Sequence, residues 1–188
     1  MTNAPSADHA QIFAAALARH DAGDSNGAES GYRAVLALDA DHFDALINLG
    51  NVLAVTGRTT EAAELYRRAA KTMPGHPLPA YNLAKLNFDS GDFATAMKIL
   101  NAVPEDRHID DTQLLLATAA LRAGYSDATR ELIDTVLART PESAPALELL
   151  GLLEEALGNY GQAANLFRRV LDSDPTRLSA LRHRSRLR

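Results

Sequence analysis

Three histidines, His42, His76 and His108, recur along the chain, and recurrent histidines are the first place to look for a metal. Side chains more than thirty residues apart share an ion only if the fold brings them within bonding reach. Neighbouring helices pack about 8–10 Å apart, which is too far for equivalent residues of successive helix pairs. There is no His-Glu-x-x-His and no pair of histidines at one-turn spacing, so these are expected to be loop residues. The acidic pairs Asp110-Asp111 and Glu154-Glu155 raise acid/base chemistry. Adjacent residues on a helix point apart, and no nucleophile or glycine-rich phosphate loop accompanies them. Helix capping and solvated faces account for both pairs. We expect no catalytic residue, no metal site and no cofactor. Asn48 and Asn82 stand 34 residues apart, and amides both donate and accept, so they suit a polypeptide backbone. Hydrogen bonds to neighbouring turns or to water are the alternative use.

The composition narrows the partners. Of 188 residues 46% are hydrophobic but only 5% aromatic, with no Trp and no Cys. Ala and Leu in that excess favour closely packed helices over a β-sandwich. Without Cys there is no disulfide or thiolate site, which fits a reducing compartment. The net charge is −5, yet residues 177–188 carry five Arg and no acid, leaving 14 basic and 24 acidic residues, or −10, on the rest. An acidic body argues against broad capture of nucleic acid. The basic end, Arg177 with Arg182-His183-Arg184 and Arg186 to Arg188, reads as a solvated capping helix or a linker. A contact with an acidic partner, nucleic acid or a membrane surface is the other possibility. Met1 to Asp8 has no basic residue ahead of an apolar run, and Ile12 to Ala18 is short and bracketed by His9 and Arg19, so no signal peptide is expected. No apolar run reaches 18 residues, so no membrane span is expected. The expected compartment is cytoplasmic.

Helices must position these residues, and their period is written in glycines. Gly23, Gly57, Gly91, Gly124 and Gly158 are 34, 34, 33 and 34 residues apart, a coincidence with odds on the order of 10⁻⁵. Each falls between two apolar helical patterns, where a helix C-terminus uses the left-handed conformation. Five residues later come Ala28, Ala62, Ala96, Thr129 and Ala163. Tyr32, Tyr66, Leu100, Ile133 and Phe167 lie four beyond, then Val35, Ala69, Val103, Val136 and Val170. That small, large, medium series makes one buried stripe per unit. Before the glycines, Leu49-Gly50, Leu83-Ala84, Leu116-Ala117 and Leu150-Gly151 share a register, where the first unit offers Ala15-Ala16. Pro74, Pro141 and Pro175 close their helices. The spacing predicts helix pairs at 8–22 and 25–38, 42–56 and 59–72, 77–90 and 93–102, 110–123 and 126–139, and 144–157 and 160–173. Thr176 to Leu187, opening on a Thr N-cap, is expected to cover the last hairpin through Leu178, Leu181 and Leu187.

The Leu-Gly pair, the small residue, the aromatic four later and the closing Pro resemble the tetratricopeptide repeat family across residues 9–177. The second unit (Phe43–His76) and the fifth (Ala144–Arg177) carry the pattern most fully. No unit has the family's frequent early Trp, the first lacks Leu-Gly, the fourth has Thr129 for Ala, and Pro104 shortens the third, ahead of the polar stretch Glu105–Asp111. The resemblance implies an all-α, right-handed superhelical solenoid of five helix-turn-helix units, about 9–42, 43–76, 77–109, 110–143 and 144–177. A basic capping helix or linker at 178–188 would follow, and a disordered start at 1–8 would precede.

In that family the first helix of each hairpin lines a concave face. The residues placed there are Phe13, Leu17, Ile47, Asn48, Asn51, Tyr81, Asn82, Lys85, Phe88, Leu114, Thr118, Arg122, Glu148, Leu152 and Glu155. A peptide-binding set follows: Asn48, Asn51, Tyr81, Asn82, Lys85, Phe88, Thr118 and Arg122. Amides would hold a backbone, rings would supply pockets and the cations would pair an acid. Asn48 and Asn82 look like two rungs of the asparagine ladder of some family members, interrupted by Ala14, Leu115 and Leu149. Asn51 and Asn82 match two amides of the family's chaperone-tail clamp, but Ile47 and Asp111 or Leu115 replace its basic residues, which argues against that ligand. The expected function is a non-catalytic scaffold binding a protein or peptide, with no small-molecule substrate. A substrate-recruiting arm of a larger glycosyltransferase, sulfotransferase or methyltransferase is the second reading, and self-association the third.

Overall fold

The computed structural model describes residues 7–104 and 109–186. Residues 1–6 of the N-terminal stretch, the segment 105–108 with His108, and Leu187 and Arg188 lie outside the described residues. Among the described residues there are eleven α-helices: α1 (Ala7–Asp21), α2 (Ser25–Leu38), α3 (Phe43–Val55), α4 (Thr59–Thr72), α5 (Pro77–Asp89), α6 (Phe93–Asn101), α7 (Asp110–Arg122), α8 (Ser126–Arg139), α9 (Ala144–Ala156), α10 (Tyr160–Ser173) and α11 (Leu178–Arg186). These follow the paired pattern read from the glycines. The chain divides into two compact units, Met1–Ser90 with α1 to α5 and Gly91–Arg188 with α6 to α11. The division falls within the third sequence repeat.

The turns explain the period. Gly23, Gly57, Gly91, Gly124 and Gly158 all have φ between 78° and 86°, where a Cβ would be strained. The residue after the glycine then bonds back across the helix end. The Arg58 N–H donates to the Leu53 carbonyl (2.8 Å) and the Asn159 N–H to the Glu154 carbonyl (2.8 Å), satisfying carbonyls that the helix leaves unpaired. Asp24 and Asp92, each directly after a glycine, cap the next helix by accepting from the Gly27 and Thr95 N–H groups (2.9 and 3.0 Å). The Thr95 hydroxyl and N–H hold the Asp92 carboxyl below its ordinary range. Pro104 follows the short α6 and Pro74, Pro141 and Pro175 follow α4, α8 and α10.

In unit one α1 packs on α2, α2 on α3, α3 on α4 and α4 on α5. The core joins Ala16, Ala28, Tyr32, Leu49, Leu53, Ala62, Tyr66 and Ala69, with Phe13 and Phe43 against its edge. The first hairpin manages without a Leu-Gly pair because a glycine comes from the other helix. A Cβ on Gly31 would stand 2.6 Å from that of Ala16, so the two backbones meet there. His42 and His76 do more than fill loops. Each is an N-cap, its Nδ1 accepting from Ala45 N–H (3.3 Å) or Leu78 N–H (3.2 Å); the His42 ring stacks on Phe13 and the His76 ring packs tilted against Phe43.

In unit two α6 packs on α7, α7 on α8, α8 on α9, α9 on α10 and α10 on α11. One cluster holds Ala117, Ile133, Val136, Ala146 and Leu149; a second holds Leu147, Ala163, Phe167, Val170, Leu171 and Ala180; Leu137 and Leu152 touch both. The cap α11 docks through Ala180 and Leu181, while Leu178 is exposed, against expectation. Thr176 is not its N-cap: both its hydroxyl and its N–H donate to Asp174 Oδ1 (2.7 and 3.1 Å). The basic end is partly anchored. Arg177 Nε donates to Glu148 Oε2 (2.5 Å), and His183 stacks on Phe167 and sits 2.7 Å from Glu155 Oε2.

Glu154 corrects the expectation of a solvated acidic pair, because the residue is only 3% exposed. Asn159 Nδ2 (2.7 Å) and Arg130 (2.6 Å) donate to it, and they hold its carboxyl below the ordinary 4.5 against the effect of burial. A depressed folded value contributes stability above pH 4.5 that is lost as pH falls through that lower value. Glu154→Gln is therefore expected to melt lower at pH 7 and to lose less on acidification, in thermal melts between pH 7 and 3. Parallel curves for the two proteins would contradict this.

Candidate functional site

A groove of about 830 Å³ opens in unit one, walled by the end of α3, one face of α4 and most of α5. Its floor is set by Tyr66. Burial pushes the phenol up to about 12, so it keeps its proton and donates a hydrogen bond to Asn51 Oδ1 (2.8 Å). Asn82 Nδ2 donates to the same oxygen (3.3 Å). Two donors occupy the Asn51 oxygen, which orients both amides and leaves the Asn51 NH₂ and the Asn82 oxygen for further bonds. One donor beside one acceptor complements a single peptide unit. The rest of the lining is mixed: Ala54, Ala63, Leu86 and Val55 (86% exposed) supply apolar surface, and Thr59, Thr60 and Ser90 supply hydroxyls.

Of the residues singled out from sequence, Asn51, Tyr81, Asn82 and Lys85 line this groove together. Asn48 does not: its Nδ2 donates to the Asp44 carbonyl one turn back (2.9 Å), so the ladder of Asn48 and Asn82 is replaced by a pair, Asn51 and Asn82. Lys85 is paired with Asp89 (2.8 Å). Phe88 is half-buried outside the lining. Thr118 and Arg122 lie on α7 in unit two; the Thr118 hydroxyl donates to the Leu114 carbonyl (2.6 Å), and Arg122 is exposed at the helix end. Several residues expected on an open face are in the core instead: Ile47 and Glu148 are buried, and Phe13, Leu114 and Leu152 pack against the clusters. The sequence reading missed Thr59, Thr60, Ala63 and Arg67 because it considered first helices only. Their spacing on α4 makes one stripe, a signal that was present.

Known proteins share this pattern. One sequence profile of the tetratricopeptide repeat matches residues 13–77 and 114–177, and another matches residues 56–113. The chain belongs to the tetratricopeptide repeat family. This tetratricopeptide repeat protein is 34% identical over 171 residues to cellulose synthase operon protein C of Pseudomonas fluorescens, covering 84% of this chain and 13% of that one. The protein of that name from Xanthomonas axonopodis pv. citri is 33% identical over 158 residues, covering 79% and 10%. The chain thus spans a small part of the length of these relatives.

Solved structures agree on the fold. Pseudomonas aeruginosa pilF has a TM-score of 0.81 at 16% identity, covering 95% of this chain and 82% of that one. A tetratricopeptide repeat protein from Parabacteroides merdae has a TM-score of 0.80 at 19% identity, covering 97% and 73%. YrrB, described as having an unusual peptide-binding site, has a TM-score of 0.67 at 18% identity, covering 93% and 90%. Tetratricopeptide repeats are generally non-catalytic scaffolds for protein interaction. Among the described residues no helix is long and apolar enough to cross a membrane.

Proposed function

We propose that this tetratricopeptide repeat protein is a non-catalytic scaffold that holds an extended segment of a partner polypeptide in the groove of unit one. The oriented Asn51–Asn82 pair carries this reading. Its geometry is prepared before any ligand arrives, because the Tyr66 hydroxyl fixes the shared oxygen, and a prepared site avoids part of the ordering cost of binding. Side chains of the segment would lie on Ala54, Val55, Ala63 and Leu86, beside Tyr81. A phage-displayed random peptide library selected on the whole chain provides the probes. Asn82→Ala is expected to weaken binders held in the groove about fivefold to tenfold, the worth of one hydrogen bond, with helicity and melting little changed. Tyr81→Ala is expected to weaken them as well. Unchanged affinity in both variants would place the site elsewhere.

A second reading draws on the curated relatives, whose names refer to a cellulose synthase operon and of which this chain spans 13% and 10%. In it the repeats are an arm that brings a partner to a larger enzyme of the glycosyltransferase type. Sequencing the natural gene beyond both ends tests this, since an enzyme domain in the same reading frame is its requirement.

A further inference from the structure

We infer that the occupant of the groove is an extended segment bearing an acidic side chain, and that Arg67 selects it. This rests on the groove reading and adds the chemistry of the ligand. Arg67 was not among the residues the repeat pattern pointed to, because it lies on a second helix. It stands five residues before the end of α4 at Thr72, and Asn82 stands five residues after the start of α5 at Pro77. The two helices are consecutive and packed together, and Arg67 lines the same groove as the amide pair.

The charges of the lining do not cancel. Lys85 is exposed but paired with Asp89 at 2.8 Å, whereas Arg67, exposed too, has among the described residues no acid within ion-pair distance. One uncompensated cation remains in the groove of a chain whose net charge is −5. A guanidinium offers a planar fork that matches a carboxylate and can take both of its oxygens at once. Because Arg67 shares the groove with the amide pair, the acid belongs to the side chain of a residue near the clamped peptide unit. A free C-terminus is not needed.

The test uses peptides selected on the whole chain and resynthesised with acetylated and amidated ends, with affinities measured by fluorescence anisotropy. Binders sensitive to Asn82→Ala are expected to carry a Glu or Asp. Replacing that acid by Gln or Asn is expected to weaken binding about tenfold. Arg67→Gln should abolish the difference, Arg67→Glu should favour Lys at that position, and Lys85→Gln should leave it intact. Raising salt should weaken the acidic peptide and spare the neutral one. Circular dichroism checks that the variants are folded.

Groove binders with no acid preference, or a preference that survives Arg67→Gln, would overturn the assignment of Arg67 and leave the groove standing. Peptides that bind only with a free C-terminus would replace the side chain by a terminal carboxylate and overturn it too. Binders indifferent to Asn82→Ala, or no binders at all, would remove the groove reading and this inference with it.

Discussion

Phe167→Ala is expected to destabilise unit two by about 3–5 kcal/mol, the usual cost of emptying an aromatic site in a core. The ring is fully buried among Leu147, Ala163, Val170 and Ala180, and its face carries His183 at a centroid distance of 5.2 Å. The site cannot collapse readily, because the small residues around it bring the backbones of α9, α10 and α11 close already. Gly151 shows how close: a Cβ there would lie 2.8 Å from the Phe167 ring. Chemical denaturation followed by circular dichroism measures the loss, and hydrogen exchange over residues 178–186 should show α11 released first. Phe167→Leu should cost less. A loss under about 1 kcal/mol for Phe167→Ala would mean that the ring does not organise this unit.

Gly50→Ala is expected to cost about 1–2 kcal/mol in unit one, although alanine is the better helix former by about 1 kcal/mol. The added Cβ would lie 2.4 Å from Cε1 of Tyr66. The ring cannot retreat freely, since its hydroxyl is bonded to Asn51 and its edge is packed in the core. In a Tyr66→Leu background the same substitution should change sign and stabilise by up to about 1 kcal/mol, because the obstacle is gone. Unit two already uses that combination, with Ala117 in the register of Gly50 packed in one cluster with Ile133. The four proteins form a double-mutant cycle, and a coupling near zero would show that the glycine is not there for the ring. The same four proteins bear on the groove, where loss of the Tyr66 hydroxyl should loosen Asn51 and weaken peptide binding.

Both substitutions act on residues that the sequence had already placed. Every member of the small, large, medium stripe, from Ala28, Tyr32 and Val35 to Ala163, Phe167 and Val170, is buried. The helix limits also fall within about a residue of those read from the period. The reason is local: a glycine free to take positive φ, a cap beside it and a 3.6-residue apolar stripe act within one hairpin, and the hairpin is written five times.

Which polar residues would share a surface was not legible in the same way. Asn48 and Asn82 share a register, but a register gives direction from a helix axis and not the partner within reach. Asn48 bonds to its own helix, and it is Asn51 that meets Asn82, with Tyr66 from a third helix donating to the same Asn51 oxygen. Glu154 reads from sequence as a solvated acid, but Arg130 and Asn159 converge on it in the core. The sequence offers Lys85 as a cation to pair a ligand's acid, but Asp89 one turn on pairs with it, while Arg67 has no such partner among the described residues. The sequence by itself determined the repeat, the helices, their turns and the buried stripe. Only packing between successive helices decided which amides pair, which charges cancel and where a groove remains, because those outcomes depend on distances between residues that no period along the chain records.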